Sequence, residues 1–119
     1  MTTNYEFGKQ SEKLAVEYLE NKDFLIIKQN WRSGKYGEID IIAVDNSTKE
    51  LVFVEVKSRA TSIDEAKELV TKKKQEQLYR LAKNYLYLSN LENSSCRFDV
   101  IAIRINNKGK ALEHIKNAF

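Results

Sequence analysis

From the N-terminus, apolar residues first recur at helical spacing. Phe7, Leu14, Ala15, Tyr18 and Leu19, with Ser11 among them, fall on one side of a 3.6-residue turn. Thr3-x-x-Glu6 forms a capping box that would start this helix, and Asn21-Lys22 should end it. Phe24 to Arg32 (FLIIKQNWR) reads as a strand, and SGKYG (33–37) as a loop with two glycines. Glu38 to Val44 and Leu51 to Ser58 are strands rich in Ile and Val, and the DNSTKE between them is turn chemistry, so the two predict a hairpin. Ser62-x-x-Glu65 is a second capping box. Apolar spacing runs through Ala66, Leu69 and Val70 and resumes at Leu78, Leu81, Ala82, Tyr85 and Leu86, with the polar TKKKQEQ marking a break near Thr71. Cys96 to Ile105 (CRFDVIAIRI) is a further strand, residues 106–109 are a turn, and ALEHIKNAF adds a short last strand.

The order is helix, three strands, helix, strand. Short links make the first three strands antiparallel neighbours. The helical stretch 62–90 is long enough to cross over and bring the fourth strand in parallel beside the third, through a right-handed connection. The expected fold is therefore α/β: a mixed central sheet flanked by helices.

The hairpin carries an anomaly. Strand side chains alternate faces, so Leu51, Phe53, Glu55 and Lys57 share one face while Val52, Val54, Val56 and Ser58 share the other. The first face switches from apolar to charged midway. On the partner strand, Glu38 and Asp40 are expected to share a face with Ile42 and Val44, giving the same switch in mirror order. If Asn46 and Lys49 pair across a two-residue turn at Ser47-Thr48, opposed residue numbers sum to 95. Asp40 then faces Glu55, and Glu38 faces Lys57. Directly opposed Cβ atoms lie roughly 4.5–5.5 Å apart. Two carboxylates so placed repel, and burial makes ionising both costly. A shared proton, a lysine or a divalent cation must offset this.

Composition narrows the chemistry. The 119 residues are enough for one domain, 1–119, with one modest core. Net charge is +3, too mild to identify a nucleic-acid partner by itself. Cys96 is the only cysteine and His114 the only histidine. That excludes an internal disulfide, thiolate zinc sites and chemistry built on two or more imidazoles. Carboxylates, lysines and hydroxyls remain. No apolar run approaches the roughly 18 residues of a membrane helix, and MTTNYEFGKQ lacks the pattern of a signal peptide, so a cytoplasmic protein with no membrane partner is expected. Cys96 is expected in the core or at an edge, and His114 at the surface.

Oxygen ligands on Asp40 and Glu55 favour a hard ion, Mg²⁺ or Mn²⁺. Such an ion lowers the pKa of bound water and polarises a phosphoryl oxygen. Glu55-x-Lys57 sets an ammonium beside it that can stabilise charge on a phosphate or orient the water. The plainer reading of a Glu-x-Lys pair on a strand is a solvated face; its placement opposite Asp40, where apolar gives way to charged, argues against that.

Asp40 with Glu55-Val56-Lys57 on the next strand resembles the PD-(D/E)xK nuclease signature, and the element order is that superfamily's core. The likeness extends over nearly the whole chain to the YraN-like family, whose restriction-endonuclease-like fold it implies. The shared motifs are Gly8-x-x-Ser11-Glu12-x-x-Ala15, Asn30-Trp31-Arg32, Gly37-Glu38-Ile39-Asp40, Phe53-Val54-Glu55-Val56-Lys57-x-Arg59, Arg97-Phe98-Asp99 and Ala118-Phe119. Ser11 stands where the family has a second glycine. The family is in turn similar to archaeal Holliday-junction resolvases, which are dimeric nucleases. By that likeness, Asp40 and Glu55 bind the metal with the Val56 carbonyl, Lys57 acts on water or phosphate, and Glu12 supplies a further acid. Glu12 lies on the shoulder of the apolar stripe of its helix, which suits an acid at the rim of the core.

Arg32, Lys35 and Arg59 flank the expected cleft and are candidates for phosphate contacts. Lys72, Lys73 and Lys74 would sit in the first turn of a helix starting at Thr71, where cations oppose the helix dipole unless a phosphate lies nearby; a solvated lysine run is the alternative. Trp31 either stacks on a base or anchors a strand end, the SGKYG loop is free to move on binding, and Asp99 holds Arg97 or Arg59. The resulting expectation is a Mg²⁺-dependent endonuclease acting on DNA, branched or structured DNA included. A homodimer fits that role, because symmetric cutting of both strands needs two sites. A non-catalytic nucleic-acid-binding module and a protein-interaction subunit stand beside it as alternatives.

Overall fold

The computed structural model describes residues 4–58 and 62–119, without the side chains of 4, 5, 63 and 106. Thr3 of the first capping box and Arg59 therefore lie outside the described residues. The elements are α1 (Asn4–Asn21), β1 (Phe24–Arg32), β2 (Glu38–Asp45), β3 (Glu50–Ser58), α2 (Ile63–Leu69), α3 (Lys72–Leu88), β4 (Cys96–Asn106) and β5 (Gly109–Ile115). The strands form one mixed sheet in the order β1-β2-β3-β4-β5, antiparallel throughout except for the parallel pair β3–β4. This is the expected mixed sheet with flanking helices, extended by β5.

The break in the helical crossover is physical. Ser62 caps α2 by accepting from the Glu65 N–H at 3.1 Å, and Thr71 caps α3 by accepting from the Lys74 N–H at 3.2 Å. α3 ends in a Schellman motif. Asn90 takes a left-handed conformation, φ +57°, while the Asn90 and Leu91 N–H groups bond to the Tyr87 and Leu86 carbonyls.

The helices cover opposite faces. On α1, Ser11, Ala15 and Leu19 recur every four residues and are buried against Ile41, Ala43, Val52, Val54, Ile101 and Ile103. On the other face, Leu78, Leu81, Ala82 and Tyr85 of α3, with Ala66 of α2, pack on Ile42, Leu51, Phe53 and Val100. Val52 and Val54 thus face α1 while Leu51 and Phe53 face α3, as alternation requires. The Ala118 N–H bonds the Phe98 carbonyl at 2.7 Å, and the Phe119 ring stacks on Phe98, 5.2 Å between centroids.

The β2–β3 register keeps the sum of 95, from Asp45↔Glu50 to Ile41↔Val54, but the turn differs from expectation. Asn46 and Lys49 do not pair. Lys49 adopts φ +66° and its N–H bonds the Asp45 carbonyl at 2.7 Å, while the Asn46 N–H is drawn to the Asp23 carbonyl at the end of α1. A four-residue loop closes the hairpin without shifting its register. β1 has an irregularity between Ile26 and Lys28, and its Asn30 sits at φ +51°.

Candidate functional site

The regular pairing of β2 with β3 runs to Ile41↔Val54, and beyond it the two strands meet through a side chain. The Val56 N–H donates to Asp40 Oδ2 at 2.8 Å, so a carboxylate stands where a ladder carbonyl would. Strict alternation also fails here. Ile39 and Ile42 both pack in the α3 layer, whereas Ile41 and Ala43 face α1. The expectation that Asp40 simply continues the face of Ile42 and Val44 is corrected accordingly: β2 kinks at Asp40. The predicted opposition of Asp40 and Glu55 nevertheless stands in side-chain terms. Burial pushes the Asp40 carboxyl up to about 9, and a hydrogen bond to the Glu55 carboxyl and the Glu55 charge add to this. The Val56 N–H pulls the other way, and the Glu12 charge raises Asp40 further. The pair therefore resists ionising both carboxyls, with Asp40 the one driven up.

Glu55 is 5% exposed. Its Oε2 is buried with no hydrogen-bond partner; two ammonium groups approach it, Lys57 Nζ at 3.7 Å and Lys74 Nζ at 3.6 Å, both beyond hydrogen-bond reach. Lys57 comes from two residues along β3, Lys74 from the first turn of α3. Glu12 reaches the same end of the sheet from α1 and accepts from Asn30 Nδ2 at 3.1 Å. Acids and cations from both helical layers thus converge on the splayed end of β2 and β3. Ser11, one residue before Glu12, is buried with an unpartnered hydroxyl.

The other predicted residues divide. Glu38 does not pair with Lys57: the β2–β3 ladder stops short of it, and Glu38 bonds its opposed partner on β1, Arg32, at 3.2 Å. Lys35, Lys73 and Lys74 line one cleft with Tyr36 and Arg80, while Lys72 is simply exposed. Trp31 takes the anchoring role, its ring meeting Tyr85 edge-on at 5.3 Å. The SGKYG loop is pinned rather than free: Gln77 Nε2 donates to the Tyr36 carbonyl at 2.6 Å and the Asn84 amide bonds the Ser33 hydroxyl. Cys96 is exposed at the start of β4.

A second charged group, at the turn end of the sheet, was only hinted at by Arg97-x-Asp99. Buried Arg97 bonds Asp45 Oδ2 and Glu50 Oε1 at 2.9 Å and Asp99 Oδ1 at 3.0 Å. Burial works to raise Asp45, but hydrogen bonds from Ser47 and Arg97 outweigh it and hold that carboxyl well below the usual range. Asp99 is likewise held low, against its burial, by His114, Arg97 and the Asn117 N–H. His114 is not a surface residue. Its side chain is 4% exposed, with Nε2 2.8 Å from Asp99 and Nδ1 3.0 Å from the Tyr18 hydroxyl.

Asp40 and Glu55 offer oxygen donors to a hard cation, and the orphaned Oε2 and the retained proton are what such an ion would satisfy and displace. In an extended strand a residue's N–H and C=O point to the same edge, so the Val56 carbonyl faces Asp40 as well. Among the described residues no three His, Cys, Asp or Glu side chains form a cage by themselves. Two carboxylates, a carbonyl and waters match the habit of Mg²⁺, which keeps several waters.

Residues 11–103 match the model of a family described as Uncharacterised protein family UPF0102. A UPF0102 protein of Syntrophus aciditrophicus is 41% identical over 120 residues, covering 100% of this chain and 92% of its own. One from Persephonella marina is 42% identical over 113 residues, covering 94% and 91%. A solved chain of Pyrococcus furiosus SfsA in complex with Ca²⁺ is similar at TM-score 0.35 and 17% identity, over 92% of this chain and 61% of that one, a likeness too slight to argue from. The chain belongs to the UPF0102 family.

Proposed function

Taking membership of UPF0102 as the premise, we propose that this protein is a Mg²⁺- or Mn²⁺-dependent hydrolase of phosphodiester bonds in DNA, built on a restriction-endonuclease-like fold. The observation that carries this reading is the acid pair that is not balanced from within. Asp40 keeps a proton against Glu55, and Glu55 Oε2 lies buried and unbonded with two ammonium groups just out of reach. A site whose only task was stability would have a buried cation between the acids, as Arg97 provides elsewhere in the same sheet. The sequence α1, three antiparallel strands, a helical crossover and a parallel β4 supports the fold assignment.

Asp40, Glu55 and the Val56 carbonyl would hold the ion, which supplies Lewis acidity and an acidified water. Asp40 must give up its proton to do so, so binding releases protons and strengthens with pH. Lys57 and Lys74 then have two roles. In the absence of an ion they offset the acid pair only in part, from beyond hydrogen-bond distance, and they face a substrate phosphate once Glu55 is engaged, where an ammonium stabilises charge as it develops. Glu12 adds negative charge from α1 and, with Asn30, fixes the approach on that side.

The test is cleavage of linear, nicked, flap and four-way DNA with Mg²⁺ or Mn²⁺. Chelation should abolish cutting, and Asp40→Ala should lower it by about a hundredfold or more, as expected when several kcal/mol of electrostatic stabilisation is lost. Equal cutting by Asp40→Ala sinks the proposal. Salt-dependent binding without turnover would make the protein a non-catalytic module on the same fold.

A further inference from the structure

We propose that a single-stranded stretch of DNA runs from the acid pair along the outer side of α3, gripped by Lys73, Lys74 and Arg80, with one base stacked on Tyr36. The identity of the polymer rests on the hydrolase reading above; the track itself rests on shape, charge and the presentation of one aromatic ring. A cleft of about 550 Å³ is lined by Lys35, Tyr36, Lys73, Lys74 and Arg80. Lys74 links it to the acid pair, since it belongs both to the cleft wall and to the surroundings of Glu55. A second hollow of about 730 Å³ shares Tyr36 and Arg80 with it and continues to Lys83 and Tyr87. Lys73, Gln77, Arg80, Asn84 and Tyr87 recur every three or four residues, so they line one face of α3. From Lys74 to Tyr87 that face extends roughly 20 Å. Along the two hollows Lys35, Lys73, Lys74, Arg80 and Lys83 outnumber the acids Glu76 and Glu92, which suits a chain of phosphates.

Tyr36 is 61% exposed, yet its backbone is fixed. Its carbonyl accepts from Gln77 Nε2. Gly37, at φ +109°, lets that amide lie so close that a Cβ there would meet it at 2.4 Å. Ser33, on the near side of the loop, is tied to Asn84. The ring is largely open to solvent on a loop tied down at both sides, beside Lys35 and Arg80. It offers a platform with little ordering cost on binding. A base can use that platform only if its face is free, which excludes bases stacked within a duplex. Trp31, the other candidate for stacking, is committed to Tyr85.

The experiment is fluorescence anisotropy in chelator, so that nothing is cut, with a labelled oligothymidylate and a blunt duplex of equal length. The native protein should bind the single strand about tenfold or more tightly than the duplex. Tyr36→Ala should weaken single-strand binding roughly five- to 150-fold, leave duplex binding and the melting temperature unchanged, and be rescued by Tyr36→Phe. Lys73→Gln should reduce the slope of log affinity against log salt by about 0.7. Equal affinity for the two probes, or full affinity in Tyr36→Ala, overturns the track. Binding as expected by a protein that cuts none of the DNA panel would remove the hydrolase reading and leave the track standing. Cutting that depends on Asp40 but binding that ignores Tyr36 would do the reverse.

Discussion

At the turn end of the sheet, Asp45, Glu50 and Asp99 surround one buried guanidinium, and His114, Tyr18 and Asn117 take up the remaining valences. At the open end, Asp40 and Glu55 meet and, among the described residues, the ammonium groups beside Glu55 stand 3.6 and 3.7 Å away. Both groups are acids of the same sheet, yet their protonation is driven in opposite directions: Asp45 and Asp99 below the usual carboxylate range, Asp40 far above it. Burial opposes ionisation at both ends. What differs is whether hydrogen-bond donors are fixed in place to overcome it. The first arrangement satisfies its acids from within; the second, among the described residues, leaves Glu55 Oε2 without a hydrogen-bond donor.

The largest test of this contrast is Arg97→Met. Removing the guanidinium strands two buried carboxylates and should cost about 3–5 kcal/mol in urea unfolding at neutral pH. Asp45 and Asp99 have folded pKa values below their unfolded ones, so their contribution is present above about pH 4 and lost as pH falls. The native protein should show this acid limb and Arg97→Met should show it reduced, since Ser47, His114 and Asn117 still hold the two carboxyls down. A variant as stable as the native chain would show that the two ends do not differ as described.

Asp40→Asn should act with the opposite sign. The folded pKa of Asp40 lies above its unfolded value, so its contribution is complete below about pH 4 and declines as pH climbs toward 9. Metal-free native protein should therefore weaken across that window, by no more than about 1.4 kcal/mol per pH unit. Asp40→Asn should flatten the slope and be the more stable protein at pH 8, by roughly 1–3 kcal/mol. Parallel curves for the two proteins would mean that the acids at the open end are not in conflict.

Lys74→Met should have the smallest effect on stability, within about 1 kcal/mol, since its partly exposed ammonium stands 3.6 Å from Glu55, beyond hydrogen-bond distance. Under the proposed hydrolase reading it should still reduce cutting about tenfold, because its ammonium would then face the substrate phosphate. A loss of stability with cutting intact would reassign Lys74 to structure.

The sequence shows some of this more readily than the rest. The β2–β3 register is legible because Leu51 and Phe53 alternate with Val52 and Val54, and a slip of one residue would exchange the two faces. That register points to Asp40 and Glu55. The kink at Asp40 is not legible, because it depends on a side chain accepting a backbone N–H from the next strand. Lys74 could be named but not chosen over Lys72 and Lys73, since the rotation of α3 is set by Leu78, Leu81 and Tyr85 packing on the sheet. Arg97 bonds residues 47 and 52 positions away, across a parallel pairing that local pattern does not contain. His114 reads as exposed in a polar strand, and only Asp99 on the neighbouring strand and Tyr18 on α1 make it internal.

The break in β1 between Ile26 and Lys28, followed by the left-handed Asn30, bears on how molecules meet in a crowded solution. β1 is an outer strand with Leu25 and Ile27 turned outward, and a straight rim of that kind would template the addition of another chain. The extra residue bends the rim and interrupts its row of amide donors. Shortening β1 by that one residue would straighten it, and the molecule would then be prone to associate into fibres.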